Sequence, residues 1–261
     1  MAADHQASVR VDIDSRETGA VARVTVDNAT KLNILGSALM TAFVAKVTKL
    51  GEREDLRAVV LTGAGERAFI GGADLREMGK LDAARAREFI TQLHRMCAVL
   101  RDLAVPVIAR INGYALGAGL EVAAACDLRV AAANAVFGMP EVRVGIPSVI
   151  EAALLPSLIG WGRTRELLLL GETIDAETAL RWGLVERVVP VPDLDAAVEA
   201  CLAALLKAGP RATRLQKKLI RQWEDLSVSG AIAAGIDCFA DAYATDEPSR
   251  LMRAFLERPR R

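Results

Sequence analysis

The sequence of 261 residues predicts an α/β protein that ends in a helical region. Strand-like and helix-like segments alternate as far as about residue 190, which is typical of a layered and mostly parallel sheet. From Leu194 onward the spacing of apolar residues is helical almost to the end, interrupted by turn sequences such as Gly209-Pro210. We therefore expect a core over residues 1–193 and a helical region over residues 194–261.

The first half of the chain predicts a β-hairpin followed by two helix–strand pairs. Apolar and polar residues alternate on both sides of a polar turn at residues 15–19, as in a hairpin. Ser37 is expected to cap the first helix, which Gly51 closes, and the second helix carries its apolar residues on one face. In chain order the predicted elements are strands at 9–14 and 21–27, a helix at 37–50, a strand at 58–62, a helix at 82–100 and a strand at 105–111.

The second half predicts shorter elements with recognisable ends. Ser148 and Glu151 match the S-x-x-E capping box, which predicts a helix over about 149–159. Asp175 and Gly183 are typical cap residues and bracket a further short helix. The remaining predicted elements are a short helix and a strand within 117–131 and a strand at 184–189.

The composition describes a globular protein with an aliphatic core. Hydrophobic residues make up 52% of the chain and aromatic residues only 4%, so Ala, Val, Leu and Ile must fill the interior. The 33 Lys and Arg balance the 33 Asp and Glu, which argues against a protein that coats a polyanion. Four widely spaced cysteines without a CxxC pair are expected to be buried, reduced thiols. The first residues lack an apolar signal core, so we expect a soluble, cytoplasmic protein that does not bind membranes.

Several familiar kinds of active site are disfavoured. Residues 63–68 match the loose G-x-G-x-x-A dinucleotide pattern, but Gly71-Gly72 would break the helix that this pattern needs. The chain lacks G-x-S-x-G, and its two histidines are expected in a frayed terminus (His5) and as a surface or structural residue of a helix (His94). Without H-E-x-x-H or a His/Cys cluster, we expect no metal site.

Two glycine-rich segments and two carboxylates carry a more specific signal. The segments are residues 68–75 and 112–121, the second at a turn from a strand into a helix. Small residues there let a ligand approach the backbone, and the first N–H groups of a helix have no partner within it. One such N–H and a second from the Gly72-Ala73 loop could hold a carbonyl oxygen that becomes an enolate. Taken singly, Glu121 could be a helix-dipole partner and Glu141 a solvated loop residue.

In this order and at this separation, the segments resemble the crotonase, or enoyl-CoA hydratase/isomerase, family over nearly the whole chain. The most specific parts are residues 72–74, 112–121 and 137–141. The resemblance implies a spiral of repeated β-β-α units, followed by a helical oligomerisation region that forms homotrimers or homohexamers. It implies no metal and no cofactor, because coenzyme A enters as part of the substrate.

By position, the resemblance also implies site residues. The backbone N–H groups of Ala73 and Ala118 should form an oxyanion hole for an acyl-CoA thioester, and Glu121 and Glu141 match the two catalytic glutamates of the hydratases. Coenzyme A is expected to run along residues 31–35 and 68–76, with Lys31 as a cationic contact. The implied substrate-binding residues are Lys31, Leu32, Leu35, Ala68, Ala73, Asp74, Leu75, Arg76 and Ala118.

The glutamate pair suits the addition of water to a 2-enoyl-CoA, which gives a 3-hydroxyacyl-CoA. One carboxyl can activate water at the β-carbon while the other protonates the α-carbon, and the hole stabilises the enolate-like charge. Because isomerases of the family typically use one carboxylate, the pair favours a hydratase. Isomerisation, carnitinyl-CoA-type dehydration and a lyase reaction are the alternatives within the family. A non-catalytic RNA-binding or scaffold role is the alternative of another class.

One segment departs from the family pattern. Hydratases usually have a Gly-rich stretch where this chain has residues 145–151, and Ser148 stands near a glycine whose backbone helps to hold the catalytic water. Ser148 and Glu151 are expected to cap the following helix, or alternatively to face the acyl pocket and recognise a polar acyl group. Ala118 replaces a glycine, but a backbone donor needs no particular side chain.

Two helical surfaces allow more than one interpretation. The basic residues of 210–226 are expected to form a solvated helix face rather than an RNA site, because the chain is neutral and no aromatic platform accompanies them. An apolar stripe runs from Ile232 to Tyr243 on a later helix. It could serve a subunit interface or the core.

Overall fold

The computed structural model describes residues 6–257, so the expectations for His5 and for the first five residues lie outside the described part. The strands are β1 (Ser8–Arg16), β2 (Gly19–Asp27), β3 (Leu56–Gly63), β4 (Ala68–Ile70), β5 (Val107–Ile111), β6 (Tyr114–Leu116), β7 (Leu128–Ala132), β8 (Val136–Gly138), β9 (Thr173–Asp175) and β10 (Arg187–Val189). The helices are α1 (Ser37–Gly51), α2 (Leu75–Met78), α3 (Ala83–Asp102), α4 (Ala118–Ala124), α5 (Leu155–Leu170), α6 (Ala176–Trp182), α7 (Leu194–Lys207), α8 (Pro210–Trp223), α9 (Val228–Ala242) and α10 (Glu247–Leu256). Short 3-10 helices lie at Ala29–Lys31, Pro140–Val144, Ile150–Leu154 and Val191–Asp193.

The strands form two sheets that follow a repeated β-β-α unit. One sheet has the order β1-β2-β3-β5-β7-β10 and the other the order β4-β6-β8-β9. The first strand of each unit (β3, β5, β7) enters the larger sheet in parallel, and the second (β4, β6, β8) enters the smaller sheet in parallel. Within residues 6–257 only the β1–β2 and β8–β9 pairs are antiparallel. The predicted hairpin, the mostly parallel sheet and the spiral of β-β-α units are thus confirmed.

The larger sheet is buried on both faces, as β3 shows. Val59 and Leu61 point into the main core, which α1 and α3 cover, whereas Ala58 and Val60 belong to a second apolar cluster on the opposite face. This alternation follows from the two-residue period of a strand. The second cluster is completed by α7, so the C-terminal helical region begins as a layer packed on the sheet.

Local end signals predict several elements correctly. Asp175 caps α6 as expected, because its carboxylate accepts a backbone N–H of the first helical turn. Asp82, which the sequence analysis did not name as a cap, caps α3 in the same way. Gly183 ends α6 in the left-handed conformation with φ 82°. The expected thiols at Cys97, Cys126 and Cys201 are buried and unpaired, and Cys238 is half-buried.

Two predicted helix starts are wrong. Ser37 is the first residue of α1 rather than its cap, and a carboxylate of α2, Glu77, accepts from both its N–H and its hydroxyl. The helix expected over 149–159 is instead the 3-10 helix Ile150–Leu154 followed by α5, and no side chain caps its start. α5 runs on to Leu170 with a non-helical break at Gly160. In both places a distant side chain competes with the local capping pattern.

The basic helix α8 is held to the core rather than forming a wholly solvated face. Lys217 is only 6% exposed and donates to Asp127 at 2.7 Å and to the backbone carbonyl of Val105 at 3.0 Å. Arg214 donates to the backbone carbonyl of Leu56. The expectation of a solvated basic face is wrong for these two residues, because their charges satisfy buried acceptors.

The apolar stripe of α9 lies on the surface of the single chain. Its side chains are between 52% and 67% exposed, which excludes the interpretation as ordinary core. The members of the stripe are Ile232, Ile236, Phe239 and Tyr243. None of the helices within residues 6–257 has the length and hydropathy needed to span a membrane.

Candidate active site

One cavity of about 630 Å³ brings together segments that are far apart in the chain. Its walls come from the loops around residues 30–34 and 71–78, from α3, from the start of α4 and from residues 140–149. Both glycine-rich segments and both predicted glutamates contribute to it. The structure therefore assembles the parts that the sequence analysis singled out.

Ala73 and Ala118 line this cavity, and neither backbone N–H has an acceptor within residues 6–257. Ala118 is the first residue of α4, where helix geometry leaves the N–H groups unpaired. On either side of Ala73, the carbonyl of Gly72 accepts from Leu35 and the N–H of Asp74 donates to Leu35, each at 2.8 Å. The loop is thus pinned by its neighbours while the Ala73 donor stays available.

A strained turn places the start of α4 against Glu141. Gly117 has φ 51° and ψ −119°, a conformation that residues with a side chain rarely adopt. A Cβ added at Gly117 would lie 2.4 Å from Glu141 Oε1. The backbone conformation therefore requires glycine here, and any side chain at this position would also displace the carboxylate of Glu141.

Glu121 is a buried carboxyl on the first turn of α4. It is 4% exposed, and its Oε1 accepts the N–H of Ala152 at 3.2 Å. Burial, followed by the neighbouring charge of Glu141, raises the pKa of Glu121 to about 8, although the Ala152 hydrogen bond opposes this rise. Glu121 therefore keeps its proton at neutral pH. An uncharged carboxyl gains little from the helix dipole, so that interaction does not explain why Glu121 is buried here.

Glu141 lies in the 3-10 helix Pro140–Val144 and is half-buried, not part of a solvated loop. Its Oε2 accepts the hydroxyl of Ser148 at 2.9 Å, and both residues line the cavity. Ser148 therefore faces the pocket, as the alternative expectation had it, and does not cap a helix. Glu151 likewise does not cap, because its carboxylate contacts His94 of α3 instead.

The predicted coenzyme A contacts divide into two groups. Seven of them line the cavity, namely Lys31, Leu32, Ala73, Asp74, Leu75, Arg76 and Ala118. Leu35 and Ala68 do not line it, because both are buried in the core and meet the site only through their neighbours' backbone. Asp74 also caps α2 through its carboxylate.

Two cationic residues of the cavity wall, Arg67 and Arg143, are not among the site residues predicted from the sequence. Arg67 and Arg143 are exposed side chains that line the cavity with Lys31 and Arg76. Arg67 directly precedes the first glycine-rich segment, and Arg143 is two residues beyond Glu141, so proximity to the motifs was the available signal. Within residues 6–257 no three His, Cys, Asp or Glu side chains come together in a way that could hold a metal ion.

The comparisons with known proteins agree with this geometry. A family model described as enoyl-CoA hydratase/isomerase matches residues 16–261. The chain belongs to this family. One relative, the short-chain-enoyl-CoA hydratase of Clostridium acetobutylicum, is 34% identical to this chain, and the alignment covers 92% of each chain. The crotonyl-CoA hydratase of Syntrophomonas wolfei is 35% identical over 87% of this chain and 88% of its own.

Solved structures of family members superpose closely on this chain. The enoyl-CoA hydratase of Bacillus anthracis matches with a TM-score of 0.89 at 32% identity, over 95% of this chain and 96% of its own. The enoyl-CoA hydratase of Mycobacterium smegmatis matches with a TM-score of 0.90 at 30% identity, over 96% of this chain and 98% of its own. The shared fold therefore includes the helical C-terminal region.

Proposed function

We propose that this protein adds water to the double bond of a 2-enoyl-CoA thioester and so forms a 3-hydroxyacyl-CoA. The observation that carries the proposal is that Glu121, Glu141 and two unpaired backbone N–H groups line one cavity. The printed names of the relatives, short-chain-enoyl-CoA hydratase and crotonyl-CoA hydratase, support the same reaction. They also favour a short acyl chain as the first substrate to test.

The thioester oxygen is placed between the N–H groups of Ala73 and Ala118, which stabilise the negative charge as the enolate develops. Water held between the glutamates forms a bond to the β-carbon and gives one proton to the ionised carboxylate. The π electrons move toward the thioester, and the protonated carboxyl delivers a proton to the α-carbon. The pair therefore needs one proton between its two members, and burial favours Glu121 as its holder in the free protein.

The cavity mouth suits the phosphates of coenzyme A. Lys31, Arg67, Arg76 and Arg143 supply local positive charge around the opening of a protein whose formal net charge is zero. The reaction as derived uses only side chains and backbone donors of this chain. Leu35 and Ala68 contribute through the backbone framework of the loop on which the substrate lies.

We also propose that the chain assembles into a homotrimer or homohexamer through its helical C-terminal region. The exposed apolar stripe of α9 supports this proposal, because a contiguous apolar face on the surface of one chain is typical of an interface.

The test is a panel of acyl-CoA substrates with the wild type and the variants Glu121→Gln and Glu141→Gln. Each variant should lower kcat for crotonyl-CoA hydration by roughly 100-fold or more, whereas binding of butyryl-CoA should persist. Hydration at wild-type rates by both variants would contradict the two-glutamate reaction. Double-bond migration, dehydration or carbon–carbon cleavage in place of hydration would identify one of the other enolate reactions.

A further inference from the structure

A third carboxylate, Glu151, directly precedes Ala152, whose N–H donates to Glu121. The hydration derived above does not use Glu151. Glu151 is 6% exposed, and its Oε1 lies 2.8 Å from Nδ1 of His94 on α3. Its Oε2 is buried and has no hydrogen-bond partner within residues 6–257. Burial of a carboxylate is costly, and such a group is retained where its charge or its contact serves the fold or the site.

Glu151 is joined to Glu121 through one residue. The next residue, Ala152, donates its N–H to Glu121 Oε1 at 3.2 Å. Glu151 and Ala152 both belong to the 3-10 helix Ile150–Leu154, which packs against α3 and α4. A shift of this short helix therefore moves the hydrogen-bond donor that orients the catalytic carboxyl.

The backbone at the start of this 3-10 helix is strained. Ile150 has φ 41°, in the left-handed region that a β-branched residue almost never adopts. Such a conformation persists only where the surrounding structure holds it. The contact between Glu151 and His94 ties the very next residue to α3, so it can supply part of that restraint.

We propose that Glu151, tethered by His94, is a positioning residue that keeps the Ala152 N–H on Glu121 during catalysis. The inference rests on the hydration proposed above. Four titratable groups lie around Glu151 and Ala152. Glu121 and Glu141 face them from the cavity, and His94 and Cys97 face them from α3. Burial raises the pKa of the Cys97 thiol, so it stays neutral. Burial also raises the pKa of Glu151, and both His94 and the Cys97 thiol oppose that rise.

The kinetic test separates positioning from substrate binding. Glu151→Ala should lower kcat for crotonyl-CoA roughly 10- to 100-fold, because a displacement of about 1 Å can cost ~100-fold, and KM should change less than about threefold. Glu151→Gln, whose amide oxygen can keep the His94 contact, should recover most of that loss. A wild-type kcat in Glu151→Ala, or a loss confined to KM, overturns the proposal.

The partner residue and a matched control complete the kinetic series. His94→Ala should fall in kcat as Glu151→Ala does, and the double variant should be no slower than Glu151→Ala, because the two residues act as one unit. Additive losses would contradict the tether. Glu177→Gln, which breaks an exposed carboxylate–arginine pair on α6, should keep the wild-type kcat.

A second readout does not depend on turnover. The hydrogen bond from the Ala152 N–H lowers the pKa of Glu121, and the charge of Glu151 raises it. In ¹³C-glutamate-labelled protein, the Glu121 carboxyl signal, identified by its loss in Glu121→Gln, should therefore titrate at higher pH in Glu151→Ala than in Glu151→Gln. Both variants lack the Glu151 charge, but only Glu151→Ala releases the Ala152 hydrogen bond. A wild-type protein that hydrates no enoyl-CoA would reject the proposed function. An equal Glu121 titration in Glu151→Ala and Glu151→Gln would instead reject the role of Glu151, whether or not the enzyme turns over.

Discussion

Glu121→Gln should raise the free energy of unfolding by an amount that grows with pH. The carboxyl is 4% exposed, and burial, with Glu141 as the next cause, raises its pKa from 4.5 to about 8. Between these values the unfolded chain has released the proton and the folded protein keeps it, so each pH unit costs about 1.4 kcal/mol of stability. The cost is roughly 3 kcal/mol at pH 7 and roughly 5 kcal/mol above pH 8, and it vanishes with a neutral glutamine.

Urea unfolding of the wild type and of Glu121→Gln at pH 5, 7 and 9 measures this cost. The stability gain should be below about 1 kcal/mol at pH 5, about 3 kcal/mol at pH 7 and about 5 kcal/mol at pH 9. Protein concentration is held fixed, because subunit assembly would add its own stabilisation. Glu177→Gln, which removes an exposed carboxylate of α6, should show no comparable gain. A difference that is equal at all three pH values would refute the assignment of Glu121 as a buried, neutral carboxyl.

Three further predictions concern activity and assembly. The kcat/KM of hydration should fall above pH 8, by roughly tenfold per unit, because the glutamate pair then loses the proton that the reaction needs; a flat profile to pH 10 would contradict the shared proton. Ser148→Ala should lower kcat about tenfold with little change in KM, because a hydrogen bond to Glu141 is lost; a change in KM alone would assign Ser148 to acyl recognition instead. Ile236→Asp should reduce the mass measured by light scattering to that of smaller species, because it places a charge on the α9 stripe; an unchanged mass would exclude that face as an interface.

Elements whose signals are local could be predicted from the sequence. The hairpin, the buried strand β3 and the helix α6 depend on alternation, apolar runs and cap residues that act within a few positions. Asp175 and Gly183 cap α6 in the expected way. The glycine-rich turn before α4 was also predictable, because Gly117 adopts a conformation that few other residues can take.

Elements whose ends depend on distant partners were predicted wrongly. The sequence pattern at Ser148 and Glu151 fits a capping box, yet Ser148 donates to Glu141 and Glu151 contacts His94, 57 positions earlier. Lys217 was expected on a solvated face and is buried beside Asp127, 90 positions away. In each case a tertiary contact replaced the local arrangement that the sequence pattern predicts.

Periodicity, glycine turns and motif spacing are properties of neighbouring positions. The alternation of strands and helices, the C-terminal helices and the candidate carboxylates were therefore predictable from the sequence, whereas the spiral of β-β-α units followed from the family resemblance. Three features of the site depend on the tertiary structure. They are the protonation of Glu121, the hydrogen bond from Ser148 to Glu141 and the contact between Glu151 and His94. Values of pKa and hydrogen-bond partners depend on burial and on distances between groups that the chain brings together only when it packs.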